Sequence, residues 1–219
     1  MTPAPAHRPP VIHRLAAAKI NLTLHVTGKR ADGYHLLDSL IVFTDFGDQL
    51  EVTPDDDLAM ELGGPFGAEL AAAGANEDNL VMRAARMLAA RQVRVGASAL
   101  QGARIKLIKY LPIASGVGGG SADAAATLRA LSDHWGLSLP QAELMALGLE
   151  LGADVPACLA SAPVHMTGIG DHVERVADLP AFYLVLVNPR IPLSTAWPAT
   201  TSRSGRRSGS PPEISSTGE

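Results

Sequence analysis

Apolar and polar residues alternate from Ala18 to Val26, with Ile20, Leu22, Leu24 and Val26 set against Lys19, Asn21, Thr23 and His25. A period of two predicts a half-buried strand whose apolar side meets the core, and it puts Lys19 and Asn21 on one face. Lys29-Arg30-Ala31-Asp32-Gly33 reads as a turn, and Leu36 to Phe43 as a second extended run, so the opening predicts paired strands. Asp55, Asp56 and Asp57 after Pro54 predict a solvated loop. The spacing of Val81, Ala84, Ala85 and Leu88 is helical, with Asp78 or Asn79 placed to cap the helix, and Arg104 to Lys109 returns to strand character. A glycine cluster follows Leu111-Pro112, after which Ala124, Leu128, Leu131 and Trp135 mark a helix beginning near Ser121. A further helix through Leu144, Leu147 and Leu151 is expected to end near Gly152 in a left-handed cap, and Ala181 to Val187 reads as a short core-type strand. No internal repeat is visible.

Composition narrows the function classes. The 219 residues are 47% hydrophobic, enough for a real core, and no apolar run reaches the roughly 20 residues that cross a bilayer. The first residues hold no signal-peptide apolar segment, so the cytoplasm is the expected location and no membrane partner is expected. The formal charge of -4 and an aromatic content of 4% argue against a nucleic-acid partner and favour small-molecule chemistry. The single cysteine, Cys158, lies in the apolar stretch from Val155 to Ala160 and reads as a small buried hydrophobe. The residues of 198–219 are mostly serine, threonine, arginine, glycine and proline with Ile214 the one large apolar side chain, and a disordered tail is expected there.

Candidate chemistry concentrates in the glycine loop. Gly116, Gly118, Gly119 and Gly120 fall within five positions and remove the side chains that would block close backbone approach. A helix beginning just after them offers unpaired N–H groups and the positive end of its dipole, a combination suited to a phosphate. No Gly-Lys-Ser/Thr follows, so this is not a Walker A loop, and Ser121 stands where the dinucleotide fingerprint requires Gly or Ala. A tight strand-to-helix turn without a ligand is the alternative, although such a turn needs only one or two glycines.

The run from Leu111 to Ala126, Leu-Pro-Ile-Ala-Ser-Gly-Val-Gly-Gly-Gly-Ser-Ala-Asp-Ala-Ala-Ala, resembles the phosphate loop of the GHMP kinases. Three more segments are similar to members of that family acting on a cytidine diphosphate-linked methylerythritol: Ala18-Lys-Ile-Asn-Leu-Thr-Leu, Gly28-Lys-Arg-Ala-Asp-Gly-Tyr-His35 and Leu151-Gly-Ala-Asp-Val-Pro156. The resemblance covers about Leu15 to Thr195. It implies a two-domain α+β GHMP kinase fold with a ribosomal S5 domain 2-like N-terminal domain over 1–165 and the start of a C-terminal domain over 166–197. It also implies ATP-dependent phosphorylation of the substrate's 2-hydroxyl in non-mevalonate isoprenoid precursor synthesis, with Mg²⁺ accompanying ATP. The alternatives are a catalytically inactive nucleotide-binding remnant and a GHMP kinase for another small alcohol.

Residue roles are carried by the resemblance. Asp154 would act as base toward the hydroxyl, with Lys19 polarising the same site and keeping the aspartate ionised. Without the resemblance, Asp154 reads as a helix N-cap and Lys19 as a solvated strand-face charge. Pro112, Ile113, Ala114, Ser115, Gly116, Val117, Gly118, Gly119, Gly120, Ser121 and Ala122 would cradle ATP, while Asn79 and Lys109 would lie on its adenine side. A helix cap and a strand-edge charge are the plain alternatives for those two. Asn21, Tyr34, His35 and Thr195 would contact the small-molecule substrate, with Tyr34 stacking on the pyrimidine and His35 reading its edge. No dense carboxylate cluster suggests a metal site made by protein alone. Arg190 stands where the family has glycine, and the likeness stops after Trp197, so the C-terminal domain is expected to be incomplete through truncation or a shifted reading frame. Nothing in the sequence speaks to oligomeric state.

Overall fold

The computed structural model describes residues 11–74, 79–94 and 102–188. Its sheet contains β1 (Ile12–Lys29), β2 (His35–Thr53), β3 (Leu58–Gly63), β4 (Ala103–Ile108), β5 (Val164–Gly168) and β6 (His172–Arg175). Helices α1 (Gly67–Ala72) and α2 (Leu80–Arg94) fall between β3 and β4, and α3 (Gly119–His134), α4 (Gln141–Leu151) and α5 (Val155–Ala160) between β4 and β5. The long β2 organises the sheet. One edge carries β1 in antiparallel register, from Ile12 opposite Val52 to Lys29 opposite His35. The other edge carries β4 at Gln49–Thr53 and β5 at Leu37–Ile41, both antiparallel. Beyond them, β3 runs parallel to β4 and β6 antiparallel to β5.

The turn between β1 and β2 forms as its residues predict: Gly33 adopts φ +94°, donates to the Arg30 carbonyl, and Arg30 N–H donates back to Tyr34. Asn79 caps α2 by accepting the Met82 N–H at 2.9 Å. Alternate residues of β4 are buried, with Ala103, Ile105 and Leu107 facing inward. Those side chains meet Leu50 and Val52 of β2, Leu88 of α2, Leu128 and Leu131 of α3, Leu147 of α4 and Leu159 of α5 in one core. The run of alanines in α3 (Ala122, Ala124, Ala125, Ala126, Ala130) lets this helix lie close against its neighbours.

Four expectations are corrected. The alternation in β1 does not bury Leu22, Leu24 and Val26, which are exposed, whereas Ala16, Ala18 and Lys19 are buried. The register shifts between Ala17 and Lys19 and between Asn21 and Thr23, and residues 22–27 extend where neither face is covered. Gly152 caps α4 in an extended conformation, φ 167°, because the chain turns directly into Asp154 and α5 instead of reversing. Helix α3 begins at Gly119, two residues earlier than expected, since Gly118 supplies the left-handed turn that launches it. Finally, 181–187 joins no strand: Tyr183, Val185 and Val187 are almost fully exposed, and no described strand offers a ladder to this run. The 165/166 boundary expected between domains falls inside β5, and Thr195, Arg190 and the tail 198–219 lie outside the described residues.

At Gly47 a Cβ would fall on the Ala16 carbonyl of the facing strand, while at Gly63 it would meet nothing within 4 Å. Gly47→Ala should therefore destabilise the protein by about 2 kcal/mol or more, and Gly63→Ala by well under that, in matched urea titrations.

Candidate active site

The glycine loop joins the end of β4 to α3. Two of its glycines take conformations closed to most side chains, Gly116 at φ +77° and Gly118 at φ +66°. Gly118 is the N-cap of the 16-residue α3 and carries no side chain to satisfy the first-turn N–H groups, which stay available to an anion. A Cβ on Gly116 would meet nothing within 4 Å, so the loop backbone is open to a ligand there. Beneath it lies a cavity of about 340 Å³ lined by Pro112 to Gly116, Gly118 to Ser121, Asn79, Leu80, Lys109 and Asp123. Of the loop residues expected at a phosphate, Val117 and Ala122 do not line this cavity. The Val117 carbonyl accepts the Lys19 N–H at 2.8 Å, and Ala122 is packed into the core.

That bond seats the loop on β1. The side chain of Lys19 runs beside Gly118, where a Cβ would come within 3.1 Å of it, and is only 5% exposed as a result. It is not a solvated strand-face charge. Its ammonium pairs with Asp154 at 3.1 Å and donates to Asn21 Oδ1 at 3.1 Å. Asp154 occupies the N-cap position of α5 but makes no side-chain capping bond; its carboxylate turns to Lys19 and stays partly open to solvent. Lys19, Asn21, Asp154 and the loop end are thus brought together from β1, α5 and the start of α3. Tyr34 and His35 are not: they stand exposed at the hairpin tip, where Lys29 pairs with His35, ten positions along β1 from Lys19. Thr195 lies outside the described residues.

Lys109 is not a strand-edge charge either. It is 4% exposed and its ammonium donates to both Asp48 of β2 and Asp123 of α3, the latter at 2.8 Å. Sequence reading missed both carboxylates. The available signal was the phase of Asp48 with Leu50 and Val52 two and four positions on, which alternation along β2 turns to the same face. Burial disfavours the Lys109 ammonium, but Asp123 and Asp48 together hold it above its ordinary value. For Asp123 burial is the largest cause; Lys109 opposes it, Asp48 adds to it, and the carboxyl is pushed up to about 7. Its Oδ1 is buried without a hydrogen-bond partner. Burial, then the nearby Asp154, pushes the Cys158 thiol up to about 12, which suits a packed hydrophobe and not a nucleophile. Among the described residues no group of three or more His, Cys, Asp or Glu is placed to hold a metal ion.

Residues 79–162, from the cap of α2 through the glycine loop to α5, match the family described as GHMP kinases N terminal domain. Over 184 residues the chain is 55% identical to 4-diphosphocytidyl-2-C-methyl-D-erythritol kinase of Ruegeria pomeroyi, covering 84% of this chain and 61% of that one. It is 47% identical over 197 residues to the enzyme of the same name from Paramagnetospirillum magneticum, covering 90% of this chain and 66% of the relative. The chain thus carries a GHMP kinase N-terminal domain. A crystal structure of 4-(cytidine 5'-diphospho)-2C-methyl-D-erythritol kinase superposes with a TM-score of 0.60 at 36% identity, over 77% of this chain and 56% of that structure. A Streptococcus pneumoniae phosphomevalonate kinase, at 13% identity and a TM-score of 0.52, shares the fold. The chain spans between 55% and 66% of the length of the first curated relatives it matches. No helix among the described residues is long and apolar enough to cross a membrane.

The raised Asp123 carboxyl sets a pH dependence. Its folded state holds a proton more tightly than the unfolded chain, whose ordinary value is 3.8, so the associated stability is present below that value and is lost as pH rises toward about 7. Thermal melts between pH 5 and 8 should show the wild type losing stability relative to Asp123→Asn as pH increases. A constant difference between the two would count against this assignment.

Proposed function

We propose that this chain is an ATP-dependent kinase that transfers a phosphoryl group to the 2-hydroxyl of 4-diphosphocytidyl-2-C-methyl-D-erythritol, in isoprenoid precursor synthesis in the cytoplasm. The observation that carries this reading is the Lys19–Asp154 pair at 3.1 Å, set against the end of an uncapped phosphate-type loop. Transfer to an alcohol needs the phosphates positioned, the hydroxyl proton accepted and the developing charge offset. Asp154, partly exposed and bonded to no capping N–H, is free to accept the proton. Lys19 stands beside it to offset charge on the attacking oxygen, and Asn21 orients the Lys19 ammonium. The N–H groups at the start of α3 and the backbone from Gly116 to Gly120 hold the phosphates, with Ser121 beside them.

ATP fits this cradle because the backbone at Gly116 faces open space and the first turn of α3 lacks a capping side chain. Mg²⁺ offsets phosphate charge when bound and would arrive with the nucleotide, since the described residues hold no carboxylate cluster for it. Asn79 borders the same cavity, consistent with a position near the base of the nucleotide. Tyr34, His35 and Thr195 are assigned to the cytidine and alcohol ends on the family likeness alone. The N-terminal domain is taken to run beyond 165 through β6, because β5 and β6 pair within the sheet of β2, and the beginning of a second domain is placed after it. A reading as a nucleotide-binding chain without turnover is favoured by one observation, the exposure of Tyr34 at 61% with the hairpin face beside it uncovered.

ADP release in a coupled assay with Mg-ATP and this substrate separates the two readings. Turnover is the expected result, and Asp154→Ala should lower kcat by roughly 10²- to 10⁴-fold while nucleotide affinity stays within a few-fold. Binding of ATP with no ADP formation would replace the kinase reading with the second one. Full turnover by Asp154→Ala would remove Asp154 from its role.

A further inference from the structure

The two ends of the glycine loop meet at one buried carboxylate. Asp48, at the point where β2 has just passed the close approach of Gly47 to β1, accepts the Tyr110 N–H at 2.6 Å and the Leu111 N–H at 2.8 Å through Oδ1. These are the last residues before the loop. Its Oδ2 accepts from the Lys109 ammonium, which donates also to Asp123 in the first turns of α3. A Cβ on Gly119, the first residue of α3, would lie 3.4 Å from Lys109 Nζ and 3.6 Å from Asp48 Oδ2, so the helix start rests on the same cluster. Asp48 is 0% exposed and cannot touch a ligand from solvent.

We propose that Asp48 is a positioning residue for nucleotide binding, a clamp that fixes the entry and exit of the glycine loop relative to each other through Tyr110, Leu111 and Lys109. The inference rests on the reading of this loop as a phosphate cradle. The seven residues from Pro112 to Gly118 then span two fixed points, and the donors at the start of α3 stand ready before the phosphates arrive. A loop whose ends are free must be ordered by the ligand, which weakens affinity. Lys109 consequently acts through the clamp: its donors are directed to two carboxylates, leaving it to border the cavity without serving as the principal ligand of a base. A carboxylate in this place does what a lone strand–loop hydrogen bond cannot, because it accepts two backbone donors with one oxygen and an ammonium with the other.

The test uses the full chain with a non-hydrolysable ATP analogue. Asp48→Ala, and Asp48→Asn should the first not fold, is compared with Val52→Ala, a core truncation in the same strand away from the loop. The Asp48 variant should bind the analogue roughly tenfold to hundredfold more weakly by calorimetry, and the amides of residues 110–119 should exchange hydrogen faster by a similar factor without ligand. Val52→Ala should lower the melting temperature and leave both readouts near the wild type. Unchanged analogue affinity in the Asp48 variant, or equal weakening in Val52→Ala, would overturn the proposal. If the wild type itself does not bind the analogue, the cradle reading fails, and the exchange measurement alone decides the clamp: unchanged protection at 110–119 in the Asp48 variant overturns it, and selective loss there supports it.

Discussion

Burying a lysine ammonium away from water costs several kcal/mol unless an anion and hydrogen-bond acceptors meet it there, and this fold buries two such groups on either side of one loop. Lys19 is covered by Gly118 and paired with Asp154; Lys109 is held between Asp48 and Asp123. Because each ammonium requires its partner, the positions of β1, β2, β4, α3 and α5 are tied to the glycine loop. Loss of Asp154 would leave the Lys19 ammonium without a carboxylate next to the loop, whereas Lys109 would keep one of its two.

The same arrangement explains why the loop is rich in glycine. Gly118 must let the Lys19 side chain pass, Gly119 rests on the Lys109 cluster, and Gly116 leaves the backbone open toward the cavity. Ligand access is one of several demands, and close packing against two charged side chains is another. The consequence for catalysis is geometric. The pair proposed to receive a hydroxyl proton and offset its charge, Asp154 and Lys19, stands against one end of the loop, while the other buried cluster lies under its entry and the helix start, so the proposed chemistry and the proposed positioning fall to different ion pairs.

A good part of this was legible along the chain. Paired strands at the start, the capping role of Asn79, the strand before the loop and the helix after it all follow from local spacing and turn chemistry, which do not depend on distant residues. The pairing of Lys19 with Asp154 was reachable only through family likeness, because 135 positions separate them and nothing local in either segment points to the other. Asp48 and Asp123 went unread for the same reason. An aspartate in a strand and one in a helix have ordinary surface uses, and only the fold turns both toward one lysine. The alternation in β1 misled because burial depends on which stretch of a strand the helices cover, and that layer stops short of Leu22.

By itself, then, the amino-acid order determined the paired opening strands, the capped helix α2, the strand–glycine-loop–helix unit and the family likeness, since these are encoded in short-range patterns of glycine, apolar spacing and caps. Tertiary structure decided which charges became interior: it took two lysines that local rules would leave in water, covered them with a glycine loop, and selected their carboxylate partners from strands and helices far apart in sequence. The reason is electrostatic. A charge is assigned a role by the low-dielectric surroundings and the partner it meets there, and both arise only when the chain has folded.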